Sequence, residues 1–563
     1  MNNPTHSKVS FKAYEQHQSL LFPSSLDEWI PKNHLVRVIS SVIDQMELDS
    51  VLKSYPGGGA PSYHPKMMLK VLIYAYTQKI YSSRQIAKAL VEQIPFRWLS
   101  GGNLPDFRTI NRYRSTRLKG TIEDVFTAVV ELLFREGIID LKDYFMDGTK
   151  FEANANKYSF VWGKATAKFK ARLQRDVKAL FEQIDQVNAS DDDRYGDKDL
   201  PGMGGDDPID SAKIQQTVER LNARLQKEPS NKDLKKAVKK LKDDYLPRQQ
   251  KYEQQEKILG ERNSYSKTDE DATFMRMKED HMLNGQLKPG YNVQIGTHNQ
   301  FILGYSIHQK PSDSTLLIPH LEWLKCRFGK LPGAVTADAG YGSEENYAWL
   351  DDEQVTAYVK YNNFHWEQKR KQRNNPYRIE NLPYDEKTDR YLCPGGQYLT
   401  YLKTEKQMSA NGYASERRVY EASGCKGCVL KDKCHKSKGN RRIQVGVKLQ
   451  EYRKKARELL LSPEGLEHRS RRPIEPEAVF GQIKWNRQFK RFLLRGLDKV
   501  TIEFGLVAIA HNLMKLWQLI MNLLLQAEII LSGRAILVAR NLILRKPDAF
   551  LEIRVNSCQS VAK

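Results

Sequence analysis

Cysteine is scarce, with six in 563 residues, too few for a disulfide-stapled extracellular scaffold of this length. Acidic residues are also short, 68 against 90 Lys and Arg, which leaves a formal charge of +22 and a pI near 9.4. That imbalance favours an extended polyanionic partner and points to nucleic acid before a membrane surface. No uninterrupted apolar run reaches the roughly 18 residues of a membrane span. The Leu- and Ile-rich stretch from Ile502 to Leu531 is broken by His511, Asn512, Lys515, Gln518, Asn522, Gln526 and Glu528, so a core or partner-packing helix is expected there. The opening MNNPTHSKVSFKAYEQHQ has no basic start followed by an apolar run, so no secretion signal is expected, and a cytoplasmic, nucleoid-associated protein is.

What the chain does contain is three carboxylates in telling surroundings. Tyr144, Phe145 and Met146 read as a short buried strand that Asp147 ends, with Gly148 turning the chain sharply. The segment GAVTADAGYG repeats the arrangement: an apolar strand ends in Asp338 and small residues follow. In PIEPEAVFGQIK the pattern turns helical after Pro476, placing Glu477 in the first turn and Lys484 seven residues on, along the same face. Hard divalent cations prefer carboxylate oxygens, and two of them clamp the attacking and leaving oxygens of an in-line displacement at phosphorus. A lone strand-end aspartate is more often a turn former or helix cap.

In this order, the strings MDGTKFEANANKY, TADAGYGSEENYAWL and IEPEAVFGQIK resemble those of DDE transposases of bacterial insertion sequences, specifically the IS1182 group, from about residue 10 to about residue 517. The resemblance implies an α/β fold with an RNase H-like catalytic core. It also implies Asp147, Asp338 and Glu477 as the catalytic triad holding two Mg2+ (or Mn2+) ions, and binding of double-stranded DNA, both terminal inverted repeats and target. Cut-and-paste cleavage and strand transfer would follow, with synapsis of two ends implying at least a homodimer. Some related transposases carry a Tyr and an Arg before this Glu and a Lys seven residues after. Lys484 fits, whereas Ser470 and Pro473 stand at the earlier positions. Glu475 is the rival ligand, but Pro476 separates it from the helix and alignment by Phe480-Gly481 favours Glu477.

The length suggests about three to four units. Residues 1–135 read as a helical, helix-turn-helix-like DNA-binding domain with helices Lys66–Gln78, Ser83–Gln93 and Asp106–Leu118. The third places Phe107, Ile110 and Tyr113 at three-residue steps with Arg108, Arg112 and Arg114 between them, so one face packs and the arginines face a DNA groove or solvent. Residues 141–160 and 269–361 form two parts of the core, including a hairpin around Gly296–Asn299, with Arg276 and Lys278 as further phosphate contacts. Strands one and four of such a core lie side by side, which makes neighbours of Asp147 and Asp338.

Between these parts, residues 161–265 form a helical insertion, with long helices Lys170–Val187 and Ile214–Tyr245 joined by an acidic connection, Asp191–Pro208. A second insertion, 362–470, holds Cys393, Cys425, Cys428 and Cys434; a CxxC with further thiols near glycines suits a structural Zn2+, although the spacings are irregular. Residues 471–520 return to the core, and there Trp485, Arg487, Lys490, Arg491 and Arg495 form a basic, aromatic-studded segment suited to DNA. The tail 521–563 carries no functional pattern. A catalytically silent DNA-binding protein and a nuclease that cuts without joining are the alternatives.

Overall fold

The structure, a computed structural model, describes residues 25–47, 49–52, 55, 62–195, 209–227, 231–277, 285–409 and 411–530. Its contacts divide the chain into two units. One takes in residues up to 113 with 513–530; the other spans 114–512. The helix Ile122–Arg135 therefore sorts with the second unit, so the division falls earlier than residue 135.

In the first unit the expected helices occur as Pro65–Thr77, Ser83–Glu92 and Phe107–Arg112, with a further short helix, Ile94–Leu99, opening on Pro95. Asp106 caps the last, its carboxylate accepting from the Thr109 N–H at 2.7 Å. Ser82 stands at the start of its helix without a side-chain capping bond. At Tyr113 the backbone passes into a π-helical turn, Tyr113–Arg117, and the Tyr113 hydroxyl donates to the Pro65 carbonyl at 2.9 Å.

The second unit is built on a mixed sheet. Its strands are β1 (Asp143–Glu152), β4 (Thr273–Arg276), β5 (Leu287–His298), β6 (Phe301–His308), β7 (Ala334–Ala337) and β8 (Thr356–Val359). β5 runs antiparallel to β1, β4 and β6, whereas β1, β7 and β8 are mutually parallel neighbours in that order. Contrary to expectation, β1 does not stop at Asp147: Gly148 lies within it, opposite Gln294. A Cβ on Gly148 would sit 2.2 Å from Gln294 Nε2, so glycine here makes room across the sheet rather than turning the chain. The β5–β6 turn falls at Asn299 and Gln300, both at positive φ, at the far end of the expected Gly296–Asn299 turn rather than at the glycine. Gly296 and its partner Gly304 instead form a slot for Tyr144. The Tyr144 hydroxyl meets His320 Nε2 at 2.7 Å, and burial pushes that imidazole down to about 3.

A small clasp, β2 (Phe160–Trp162) paired with β3 (Ser264–Ser266), closes the base of the helical insertion. Its helices are Gly163–Tyr195, Ser211–Lys227 and Lys232–Leu259, the last running through a π-helical turn. Ile214–Tyr245 is thus not one helix. Asn231 starts the second piece, accepting from the Leu234 N–H, and Pro229 precedes it in the sequence. The insertion has its own core, including Leu173, Phe181, Ile214, Leu221 and Leu241. Most of the expected acidic connection, 196–208, lies outside the described residues, as do Lys278 and the tail from 531.

The cysteine-bearing segment folds as a separate antiparallel sheet in the order β13-β12-β11-β10-β9. These strands are β9 (Tyr384–Asp385), β10 (Arg390–Leu392), β11 (Tyr398–Met408), β12 (Ala414–Ala422) and β13 (Arg442–Val445). The helix Leu497–Ile530 is long and apolar enough to cross a membrane by length and composition, but most of that stretch is buried in protein. Its polar residues have inward partners. Glu503 accepts from the Leu493 and Leu494 N–H groups, and Asn512 exchanges two hydrogen bonds with the Ile302 backbone.

The Tyr144 slot yields a stability prediction. Gly296→Ala places a methyl 1.7 Å from the tyrosine ring and should cost about 2 to 3 kcal/mol by overpacking. Urea unfolding followed by tyrosine and tryptophan fluorescence measures it, and an unchanged midpoint refutes the slot.

Candidate active site

The parallel register of β1 and β7 pairs Phe145 with Thr336, and two residues further on from each, Asp147 and Asp338 both reach the same Arg472 nitrogen. Asp147 is buried within β1, whereas Asp338 follows the last residue of β7 and begins the 3-10 turn Ala339–Tyr341. Glu477 arrives from elsewhere, in the first turn of the helix Pro476–Gly481, as its proline start suggests.

The three carboxylates meet on one guanidinium. Arg472 Nη2 lies 3.3 Å from Asp147 Oδ1 and 3.6 Å from Asp338 Oδ2, and Nη1 lies 2.5 Å from Glu477 Oε1. The Arg472 side chain is only 7% exposed, against 50% for Asp338 and 47% for Glu477. Like-charged carboxylates repel at such separations, and a shared planar cation is what holds them together. Arg472 belongs to the basic run before Glu477, where the sequence alone assigns it no role. Its signal was there, an arginine five residues before the glutamate on a helical approach.

A polar floor lies beneath. Gln294 Nε2 donates to Asn292 Oδ1 and to Asp313 Oδ1, both at 3.0 Å, and Asn292 Nδ2 donates to Asp313 Oδ1 at 2.7 Å. The Tyr341 hydroxyl donates to Gln294 Oε1. Burial raises that phenol well above its ordinary value, with Asp313, Asp147 and Asp338 adding to the effect. Lys360, just beyond β8, is a second cation at the site. Burial and then the Arg472 charge lower its ammonium, while Asp338 and Glu477 act the other way.

Glu475, the rival ligand, is 4% exposed and turned elsewhere: its Oε2 accepts from the Thr297 hydroxyl at 3.0 Å and the Gln300 N–H at 2.8 Å. The geometry therefore favours Glu477.

Several expected DNA contacts are placed otherwise. Lys484 is buried, its ammonium donating to Thr149 Oγ1 at 2.8 Å and the Lys150 carbonyl at 2.9 Å, so it ties the helix to β1 rather than facing a phosphate. A π-helical turn, Gln482–Asn486, follows the Glu477 helix and carries it inward. Arg487 is buried as well, and so is Arg114, whose charge acts on the carboxyl of fully buried Glu503. Periodicity alone does not reveal such inward turns.

Lys490 and Arg491 are exposed. The Lys490 ammonium sits 3.5 Å from the centroid of the half-exposed Trp485 ring, and Arg491 and Arg495 donate to carbonyls of Ala153 and Asn154. These side chains edge the loop that leaves β1. In the first unit Arg108 and Arg112 are exposed, and Arg276 is exposed at the end of β4.

The donor set suits a hard divalent cation, being carboxylate oxygen throughout. Among the described residues no group of three His, Cys, Asp or Glu side chains forms a ready ion site. Here the carboxylates are engaged by Arg472 instead. That guanidinium is itself incompletely satisfied, its Nε buried with no hydrogen-bond partner.

Two family models match the sequence. Residues 392–517 match one described as Transposase DDE domain, and residues 24–116 match one described as Transposase domain (DUF772). No curated protein matches the chain. The first segment contains Arg472 and Glu477, whereas Asp147 and Asp338, which pair with Arg472, lie outside the matched residues. The chain is thus similar to transposase domains in two separate segments, one towards each end of its sequence.

Proposed function

We propose that this chain is the transposase of an IS1182-type insertion sequence, which binds the terminal inverted repeats of its element and cuts and rejoins double-stranded DNA by a cut-and-paste route. The observation that carries the proposal is the convergence of Asp147, Asp338 and Glu477 on Arg472. The strand order β6-β5-β1-β7-β8, antiparallel then parallel, supports reading the core as RNase H-like.

Asp147, Asp338 and Glu477 would hold two Mg2+ or Mn2+ ions. When bound, such ions activate an attacking water or 3′-hydroxyl and stabilise the leaving oxygen. In the ion-free protein Arg472 keeps the carboxylates gathered, and it would compete with cations for them. Half-exposed Asp338 and Glu477 face the side from which a phosphodiester approaches, with Lys360 at the same rim to meet its oxygens. Trp485, Lys490, Arg491 and Arg495 would track the DNA backbone, and Arg108 and Arg112 would serve a separate groove contact in the first unit. Joining two ends in one event requires at least a homodimer, acting at the nucleoid in the cytoplasm.

Three outcomes are expected. Wild-type protein cleaves DNA bearing the gene's native flanks in the presence of Mg2+, while Asp147→Ala, Asp338→Ala and Glu477→Ala each lose at least about a thousandfold in rate. Sequence-specific binding without cleavage by any form would favour a silent DNA-binding protein.

Arg472→Ala lowers the melting temperature of the ion-free protein, yet gains more from added Mn2+ than wild type does. Differential scanning fluorimetry with and without Mn2+ reads both effects, and an equal Mn2+ gain in the two proteins refutes a competing guanidinium.

Changing Lys490, Arg491 and Arg495 together to alanine weakens binding across DNA sequences and flattens the salt dependence by about 2 to 3 in slope. Fluorescence anisotropy over a salt series tests this, and an unchanged slope places the DNA elsewhere.

A further inference from the structure

Four thiols stand together in the β9–β13 module, away from the carboxylates. Cys393 follows β10, Cys425 and Cys428 follow β12, and Cys434 ends the short helix Lys431–Cys434. All four are free and partly buried, and all line one cavity of about 30 Å³. That volume admits a single water or ion and no organic ligand.

The two loops that present the thiols are built alike. In Cys393-Pro394-Gly395-Gly396, the Gly396 N–H returns to the Cys393 carbonyl at 2.9 Å and Gly396 has φ +78°. In Cys425-Lys426-Gly427-Cys428, the Cys428 N–H returns to the Cys425 carbonyl at 3.4 Å and Gly427 has φ +80°. Backbone N–H groups point at the sulfurs, Gln397 N to Cys393 Sγ and Arg441 N to Cys425 Sγ, each at 3.3 Å. A Cβ on Gly395 would lie 3.5 Å from Cys428 Sγ and 3.6 Å from Cys393 Sγ, so these sulfurs flank one point from separate loops. The Arg441 guanidinium donates to Cys434 Sγ at 3.1 Å, a cation beside a thiol that ligation would deprotonate.

A second observation points into the same cavity. His435 lines it, and the His435 Nε2 is buried without a hydrogen-bond partner while Nδ1 meets the Ser437 hydroxyl at 2.7 Å. The module also has little else to hold it, with a core of seven buried residues, four of them (Tyr420, Ala422, Ile443 and Val445) on β12 and β13 and two, Leu399 and Tyr391, on the neighbouring strands. Sheets this small generally need a staple.

We propose that Cys393, Cys425, Cys428 and Cys434 bind one structural Zn2+ that fixes the two loops of this module, the charge of the tetrathiolate being offset by Arg441. The sulfurs are not yet grouped as a formed ion site among the described residues. Closing on an ion would draw them together by side-chain rotation, a change that Gly395 leaves room for. The role is architectural and independent of the carboxylate site.

The test uses the full-length chain expressed with zinc in the medium. Inductively coupled plasma mass spectrometry should find about one zinc per chain, released by a mercurial thiol reagent. Replacement by Co2+ should give the sulfur-to-cobalt charge-transfer and d–d bands of a tetrahedral thiolate site. Cys425→Ser and Cys393→Ser should each lower zinc at least about tenfold, and His435→Ala should retain it. Because a serine variant can fail to fold, wild type is also treated with a chelator. Proteolysis within residues 384–445 should then speed up, and added Zn2+ should reverse it. Wild type with reactive thiols and no zinc would overturn the proposal, as would loss of zinc on His435→Ala with retention on Cys393→Ser.

Discussion

The carboxylate cluster of the second unit depends on one electrostatic constraint: three carboxylates on three separate pieces of chain share a single buried guanidinium. Asp147 on β1, Asp338 after β7 and Glu477 on a helix would repel one another if gathered without positive charge. Arg472 supplies that charge from the 3-10 turn just before the glutamate helix, so the residue that neutralises the site also anchors the segment that completes it. Arg471 beside it pairs with Asp143 at the start of β1, which fixes the same segment a second time. Removing Arg472 would leave buried Asp147 and the two half-exposed carboxylates uncompensated, which is why these contacts act as a unit.

The sheet makes this meeting possible and tolerates two large insertions. The helices between β1 and β4 leave and return through the β2–β3 clasp, and they carry their own apolar core. The thiol-bearing module likewise packs around its own residues, after which the helices Val447–Leu461 and Pro463–Arg471 lead the chain back to Arg472. Glycine has a steric task at the centre. Gly148 admits Gln294, and Gly296 with Gly304 admits Tyr144, so the side chains crossing the sheet decide where Cβ atoms are forbidden.

The acidic residues were legible because each sits at an abrupt change of pattern, apolar strand into small residues or proline into helix, and such changes are local. The hairpin and the fourth strand were legible for the same reason. Direction was not. Lys484, Arg487 and Arg114 look like surface cations in a basic stretch, yet all three are buried, because π-helical turns at Gln482–Asn486 and Tyr113–Arg117 shift which face points inward. Gly148 read as a turn for a similar reason: from the sequence a glycine needed for cross-strand room cannot be told from one needed for backbone freedom.

By itself the sequence determined the basic charge, the three carboxylates and their order, the helical and thiol-bearing insertions, and the resemblance to transposases, since composition, periodicity and local motifs reside in neighbouring residues. Only the tertiary structure decided that Arg472 is the common partner of three carboxylates, that Glu477 rather than Glu475 is the third of them, and which cations are inside. Those outcomes depend on contacts between residues hundreds of positions apart, whose distances are set by strand register and packing rather than by spacing along the chain.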